Sequence, residues 1–300
     1  MAAKNALILD FDGAVLPLPD SQRLSLGEWQ ESVRFGCSMD TLNRVENAIS
    51  TDSRFVDAGG SGENGASPTV FLGSGDYHHV SYLLIRRYRN PGRNLQVIVF
   101  DNHPDNMRYP FGIHCGSWVW HVSRLPFVSC VHVLGITSND VQLMHAWENH
   151  VGPLRRGKVR YWCVGRRLGW TRALGISGSR SFPSVSEMLG AFVMHIQSTP
   201  DPLYLSIDKD VLAPDEVHTN WDQGVMRLDE MTDAIRLFRN RIAGSDVTGE
   251  ASVYRYRSRF KRLLSNLDGQ PEIAAKDLER WQQQHQAVNL RLLRSLRETE

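Results

Sequence analysis

Short apolar runs alternate with stretches of helical periodicity along most of the chain. The runs Ala6–Leu9, Thr69–Leu72, Leu95–Phe100, Val131–Gly135, Val159–Val164, Leu203–Ile207 and Ile242–Val247 are rich in Val, Ile, Leu and aromatic residues. Runs of that kind predict strands covered on both faces. Between them, His79–Tyr88, Asn139–His150, Ser184–Gln197 and Leu228–Arg239 repeat apolar residues at i, i+3 and i+4, which predicts amphipathic helices. Ser184 and Glu187 have the spacing of a capping box, and Asn139 or Asp140 can cap the helix that precedes Val141. Strands alternating with helices imply a mainly parallel sheet with helices on both faces.

The pattern runs through residues 1–300 as one α/β domain. Residues 51–68, TDSRFVDAGGSGENGASP, read as a long surface loop and not as a domain boundary. The polar segment 270–300 has an apolar stripe over Ala275–Leu296 and predicts a terminal helical extension that packs on the body or on another subunit.

Composition adds exclusions. Hydrophobic residues make up 41% of the 300, enough for a substantial core. A net charge of +1 provides no global field for nucleic acid or membrane surfaces, and the local pair Arg166-Arg167 reads as a solvated face. The four cysteines, Cys37, Cys115, Cys130 and Cys163, have no CxxC spacing. With an N-terminal apolar run too short for a signal peptide or a membrane span, they point to a reducing, cytoplasmic setting.

Candidate chemistry sits where strands leave the core. Leu95–Phe100 is followed by Asp101-Asn102-His103-Pro104-Asp105, and alternation along an extended chain sends Asp101, His103 and Asp105 to one side. Leu203–Ile207 is followed by Asp208-Lys209-Asp210, a second pair of carboxylates whose mutual repulsion is relieved by a cation. Thr69–Leu72 runs through Gly73-Ser74-Gly75-Asp76-Tyr77 into His78-His79, and either histidine can reach the same sheet edge. Oxygen and imidazole ligands without a cysteine suit Mn2+ or a similar divalent ion. Four aspartates nearly balance two such ions, which together activate a water as nucleophile.

These motifs resemble those of the arginase–agmatinase, or ureohydrolase, superfamily. D-x-H-x-D appears as Asp101, His103 and Asp105. S-x-D-x-D appears as Ser206, Asp208 and Asp210. The glycine-plus-histidine turn resembles G-G-D-H with altered spacing, and Val133-Leu134-Gly135-Ile136 resembles the strand before the family's G-I-R element. The resemblance covers about residues 68–250. It implies a three-layer α/β/α sandwich of the arginase/deacetylase type and two divalent metal ions, most commonly Mn2+. Asp101 and Asp208 would bridge them, Asp105 with His78 or His79 would complete one, and His103 with Asp210 the other. It further implies hydrolysis of a guanidino, amidino or related amide C–N bond in a small cationic substrate, and assembly as trimers or hexamers. His114 resembles the family's mobile proton-shuttling histidine. Glu250, in Asp246-Val247-Thr248-Gly249-Glu250, resembles the late acidic residue that faces the substrate, one position further on than usual. Ala213-Pro214 and the loop His218–Gly224 depart from the family pattern, so the metal site looks intact and the substrate pocket rebuilt.

Two other readings compete. Leu7-Ile8-Leu9-Asp10-Phe11-Asp12-Gly13 resembles the haloacid-dehalogenase nucleophile motif, which implies a Mg-dependent phosphatase using Asp10 and Asp12. Position 14 is Ala, however, and the downstream lysine and acidic pair of that family are missing. The other is a non-catalytic protein that keeps the arginase fold with degraded chemistry.

Overall fold

Alternate residues along the strands pack to opposite sides of one sheet. Leu7 and Leu9 enter one apolar layer while Ala6 and Ile8 enter the other, and Val97 and Val99 divide from Ile98 and Phe100 in the same way. That is the division expected of strands buried on both faces. The computed structural model describes residues 6–51, 68–88, 93–259, 261–262 and 273–297.

The strands are β1 (Ala6–Asp10), β2 (Ser21–Ser25), β3 (Gly36–Cys37), β4 (Thr69–Phe71), β5 (Leu95–Phe100), β6 (Ile113–His114), β7 (Val128–Ile136), β8 (Val159–Val164), β9 (Arg180–Phe182), β10 (Leu203–Asp208) and β11 (Ile242–Thr248). The main sheet has nine strands in the order β2-β1-β4-β11-β10-β5-β7-β8-β9. Every neighbouring pair in it is parallel. With helices on both sides it is a three-layer α/β/α sandwich. The short β3 and β6 pair separately, antiparallel.

Each predicted strand is present. The helix expected at Ser184–Gln197 spans Val185–Gln197, and Ser184 accepts the Glu187 N–H as its cap. The one at Leu228–Arg239 spans Leu228–Phe238. The terminal helix, Ala275–Arg297, buries Val288, Leu292, Leu293 and Leu296 in the second apolar layer and so packs on the body. His79–Tyr88 is half right: Gly75–Val80 is a 3-10 turn that becomes α-helical at Ser81–Arg86. The helix expected at Asn139–His150 is replaced by two 3-10 turns, Asn139–Val141 and Ala146–Glu148. Its backbone bonds there are i→i+3, as from Gln142 to Asn139 and from His145 to Gln142. Leu143, Met144 and Trp147 are exposed while Val141 and Ala146 enter the first apolar layer, so only part of the periodic set faces the core. Of the expected loop at 51–68, residues 52–67 lie outside the described residues.

The order of strands positions the chemistry. β5 and β10 are neighbours, and β11 lies between β10 and β4. The carboxyl ends of all four therefore open onto one crevice, the usual place for ligands in an open parallel sheet. Gly249, just past β11, holds φ +90°, and a Cβ there would lie 2.4 Å from Asp208 Oδ1 and 2.7 Å from the Lys209 amide. Gly249→Ala is expected to destabilise the protein by about 1–3 kcal/mol. Gly190→Ala, mid-helix with open space around the new methyl group, should stabilise it by about 0.5–1 kcal/mol. Urea unfolding of both variants checks the pair.

Candidate metal centre

The backbone amide of Asp101 donates to Leu134 O (3.0 Å), so the β5–β7 ladder continues to the first acidic residue. The chain then turns. The His103 amide donates to Asp101 Oδ1 (2.6 Å), and Asp105 adopts a φ of +45°. At the end of β10, Asp208 Oδ1 accepts the Asp210 N–H (3.1 Å) and caps the turn Lys209–Val211. The two turns are tied together by the Asn102 N–H, which donates to Asp210 Oδ1 at 3.0 Å.

His78 and His103 both reach this acidic group. His78 Nδ1 lies 3.2 Å from Asp101 Oδ2, 3.1 Å from Asp105 Oδ2 and 3.4 Å from Asp208 Oδ2. His103 Nδ1 lies 2.8 Å from Asp210 Oδ2 and 3.6 Å from Asp101 Oδ1. The ligand atoms thus form two groups, His78 with Asp101 and Asp105, and Asp101 with His103 and Asp210, each gathered within 4.8 Å. Asp101 belongs to both. Its Oδ2 is buried and forms no hydrogen bond. A buried carboxylate oxygen left without a donor, among oxygen and imidazole ligands, fits a hard divalent cation.

His79 points elsewhere. In a 3-10 turn successive side chains diverge by about 120°. With His78 facing the carboxylates, His79 Nε2 faces Cys37 Sγ at 3.9 Å in the apolar layer, where burial holds its pKa far below the usual histidine range. His79 is therefore not among the gathered ligands.

The far nitrogen of each inward histidine is also held. His78 Nε2 is 3.0 Å from Ser206 Oγ, which donates to Asp246 Oδ1 (2.7 Å), itself bonded by Ser81 and Tyr204. His103 Nε2 is 2.7 Å from Asp222 Oδ1. With the ring's outer N–H donated to oxygen, Nδ1 is left as the inward lone pair, the usual arrangement behind a metal-ligating histidine. Asp222 and Asp246 had no signal of this in the sequence. Asp222 lies in the divergent loop, and its partner is a contact across 119 residues.

Burial and the neighbouring Asp101 push both Asp105 and Asp210 up to about 7, and burial with Asp210 raises Asp208 well above the usual carboxylate range. Desolvation opposes charge on His78 and His103. It is outweighed by Asp101 and Asp105 at His78 and by Asp210 and Asp101 at His103, and both pKa values lie well above 6.5. Desolvation likewise opposes charge on Asp101, but the two imidazoles beside it, His103 and His78, keep its pKa below the usual range.

The centre opens into a cavity of about 180 Å3. Its other walls include Met107, His114, Asp140, Glu148 and Trp221. His114 Nδ1 accepts the Gly116 N–H (2.9 Å), and burial drives its pKa down to about 3, so the ring is neutral with its proton on Nε2. Phe35 meets the His114 ring edge-on at 4.3 Å and stacks on Trp221 at 6.2 Å. Phe35 is itself held at φ +73°, a strained value for an aromatic residue. Beside it Arg34 is fully buried against Asp76 (2.6 Å), Asp12 (3.6 Å) and Ser252 (2.7 Å).

Glu250, expected to face a substrate, does not line this cavity. It is 2% exposed, bound by Lys209 Nζ at 2.5 Å and by the Asn289 amide at 2.7 Å. Burying Lys209 requires a counter-charge, and Glu250 is the carboxylate that provides it. Asp10 and Asp12 are likewise engaged, Asp10 with Arg23 (2.7 Å) and the Gly13 amide, Asp12 with Arg34. Neither belongs to a metal-holding group among the described residues.

No family model matches the chain. It is 25% identical over 251 residues to an uncharacterized protein of Thermotoga maritima, covering 81% of this chain and 78% of the other. Among solved structures it is similar to a formiminoglutamase variant of Trypanosoma cruzi with Mn2+, at TM-score 0.56 and 12% identity over 100% of this chain and 95% of that one. It is also similar to arginase from Bacillus cereus (TM-score 0.54, 13% identity, 99% of each chain). Agmatine ureohydrolase of Thermoplasma volcanium is another (TM-score 0.53, 12% identity, 98% and 90%). These likenesses show that the chain has the fold of those hydrolases.

Two predictions follow from the geometry. Asp105 and Asp210 keep their protons up to about pH 7 in the metal-free site, against 3.8 in water. Metal must displace those protons, so Mn2+ affinity should rise as pH increases from 6 to 8. Calorimetric titrations in two buffers of different ionisation enthalpy should register proton release. Asp222 has a side chain 68% exposed, so Asp222→Asn should leave the fold intact while weakening Mn2+ binding by about 10–100-fold.

Proposed function

We propose that the chain is a binuclear-metal hydrolase of the ureohydrolase type, cleaving the C–N bond of a guanidino, amidino or related amide group in a small cationic molecule. The two oxygens of Asp101, each turned to a different imidazole, carry this reading. His78, Asp105 and Asp101 would hold one divalent ion, His103, Asp210 and Asp101 the other, with Asp208 between them. Mn2+ suits the donor set. Bound there, such ions supply Lewis-acid activation of water and of the scissile carbon. The rest falls to the chain. Ser206 and Asp222 orient the two imidazoles. Trp221 and Met107 line the cavity, and Phe35 stacks on Trp221. His114, neutral with its proton on Nε2, lines the cavity as a hydrogen-bond donor that would orient a nitrogen of the substrate.

The test combines elemental analysis with turnover. Purified protein loaded with Mn2+ is expected to hold two equivalents and to release urea or ammonia from a panel of guanidino and amidino compounds. Asp101→Asn and Asp208→Asn should each lose metal and activity. His114→Asn should retain metal and lose about 10²-fold or more in kcat. Two equivalents of Mn2+ in the wild type with no turnover on any compound would refute the hydrolase. Full metal occupancy in both aspartate variants would refute the ligand assignment.

A further inference from the structure

Charge is unevenly spread along the chain. Residues 151–186 include eight lysines and arginines and no aspartate or glutamate, although the whole protein has a net charge of only +1. This segment includes β8 and β9 at one edge of the sheet and the helical turn Gly169–Ala173 between them. Trp170 and Ile176 anchor the turn in the first apolar layer, and the Ile176 amide donates to Thr171 O (2.8 Å) before the chain enters β9. Here lies a cavity of about 730 Å3 whose lining residues all fall between 168 and 182. It shares none of them with the metal cavity.

The polar side chains lining it have donors to offer. Arg172 and Arg180 form no side-chain hydrogen bond or ion pair among the described residues. Ser179 is buried, and its Oγ accepts the Tyr161 N–H at 3.3 Å. Ser181 Oγ likewise accepts the Arg166 N–H at 3.1 Å. Both hydroxyl protons, and that of Ser177, lack an acceptor among the described residues. A buried hydroxyl whose proton has no acceptor calls for an oxygen from outside the chain. No carboxylate lines the cavity, so the field of the two guanidinium groups acts there unopposed. Such a wall repels a cation. It suits an anion with oxygens directed to several sides, and a phosphate can pair with a guanidinium fork while accepting from hydroxyls. Leu168, Ile176 and Phe182 give the cavity an apolar side as well, which can receive an organic body attached to that phosphate.

We infer that this cavity binds a phosphate group, free or attached to a small organic molecule, with Arg172 and Arg180 gripping its oxygens and Ser177, Ser179 and Ser181 donating to them. The site is independent of the hydrolase reading, and failure of either leaves the other standing. Calorimetric titration of the full chain with inorganic phosphate, AMP and adenosine, each with and without Mn2+, tests it. Phosphate or AMP should bind with a Kd of about 1 mM or below. Adenosine should not bind, and Mn2+ should make no difference. AMP binding tighter than inorganic phosphate would identify an ester as the ligand, and AMP binding no tighter would identify the free ion. Arg172→Gln and Arg180→Gln should each weaken binding about tenfold or more. Arg155→Gln removes the same charge from an exposed position of the basic segment outside the cavity, and should leave binding unchanged. Absence of binding by both phosphate and AMP would overturn the inference. So would binding that requires Mn2+ and persists in both cavity variants, which assigns the phosphate to the metal centre. A loss as large in Arg155→Gln as in the cavity variants would overturn it too, and point to a diffuse basic surface.

Discussion

Four carboxylates and two imidazoles, buried within a few ångströms of one another, cannot all bear the charges they have in water. Much of the surrounding structure answers to that constraint. Adjacent strands β5 and β10 end together, and their two turns are joined through Asn102 and Asp210. A glycine at 249 leaves room for Asp208 where any side chain would intrude. Behind each imidazole stands a polar anchor, Ser206 with Asp246 on one side and Asp222 on the other. Each contact fixes a group whose position would otherwise be set by repulsion.

The architecture was legible because its signals are local. The apolar runs of β1, β5, β8 and β10 bury both faces and announce themselves without reference to anything distant. β2 escaped because its sequence, SQRLS, lies on the edge of the sheet and needs no apolar run. The helix Met39–Ser50 was overlooked although Ser38 caps it and Leu42, Val45 and Ile49 are spaced for one face. At 139–149 periodicity misled: Val141 and Ala146 reach the core from two separate 3-10 turns, and Leu143, Met144 and Trp147 are left exposed.

At the site, the same division holds. Asp101, His103, Asp105, Asp208 and Asp210 follow their strands directly, so alternation alone predicted that they would converge. His78 and His79 could not be separated in that way, because the choice depends on the pitch of a single 3-10 turn. Glu250 was misjudged for a different reason. Its position after β11 was right, but its partner Lys209 lies in another motif, and the burial of that pair is a property of the packed interior. Arg34 and Phe35 had no motif at all. They matter because they join the loops bearing Asp12, Asp76, His114 and Trp221, residues far apart in the chain.

The protonated state of the metal-free centre bears on how the protein matures. A cluster of acids that stayed ionised would oppose closure of the sheet around it, and the chain would then need metal before it could become native. Here burial and the neighbouring Asp101 raise Asp105 and Asp210 to about 7, which lessens the charge that the folded centre must carry. Under the proposed function, a newly made chain could close its sheet first and exchange protons for metal afterwards. Metal loading would then be a step separate from the acquisition of structure.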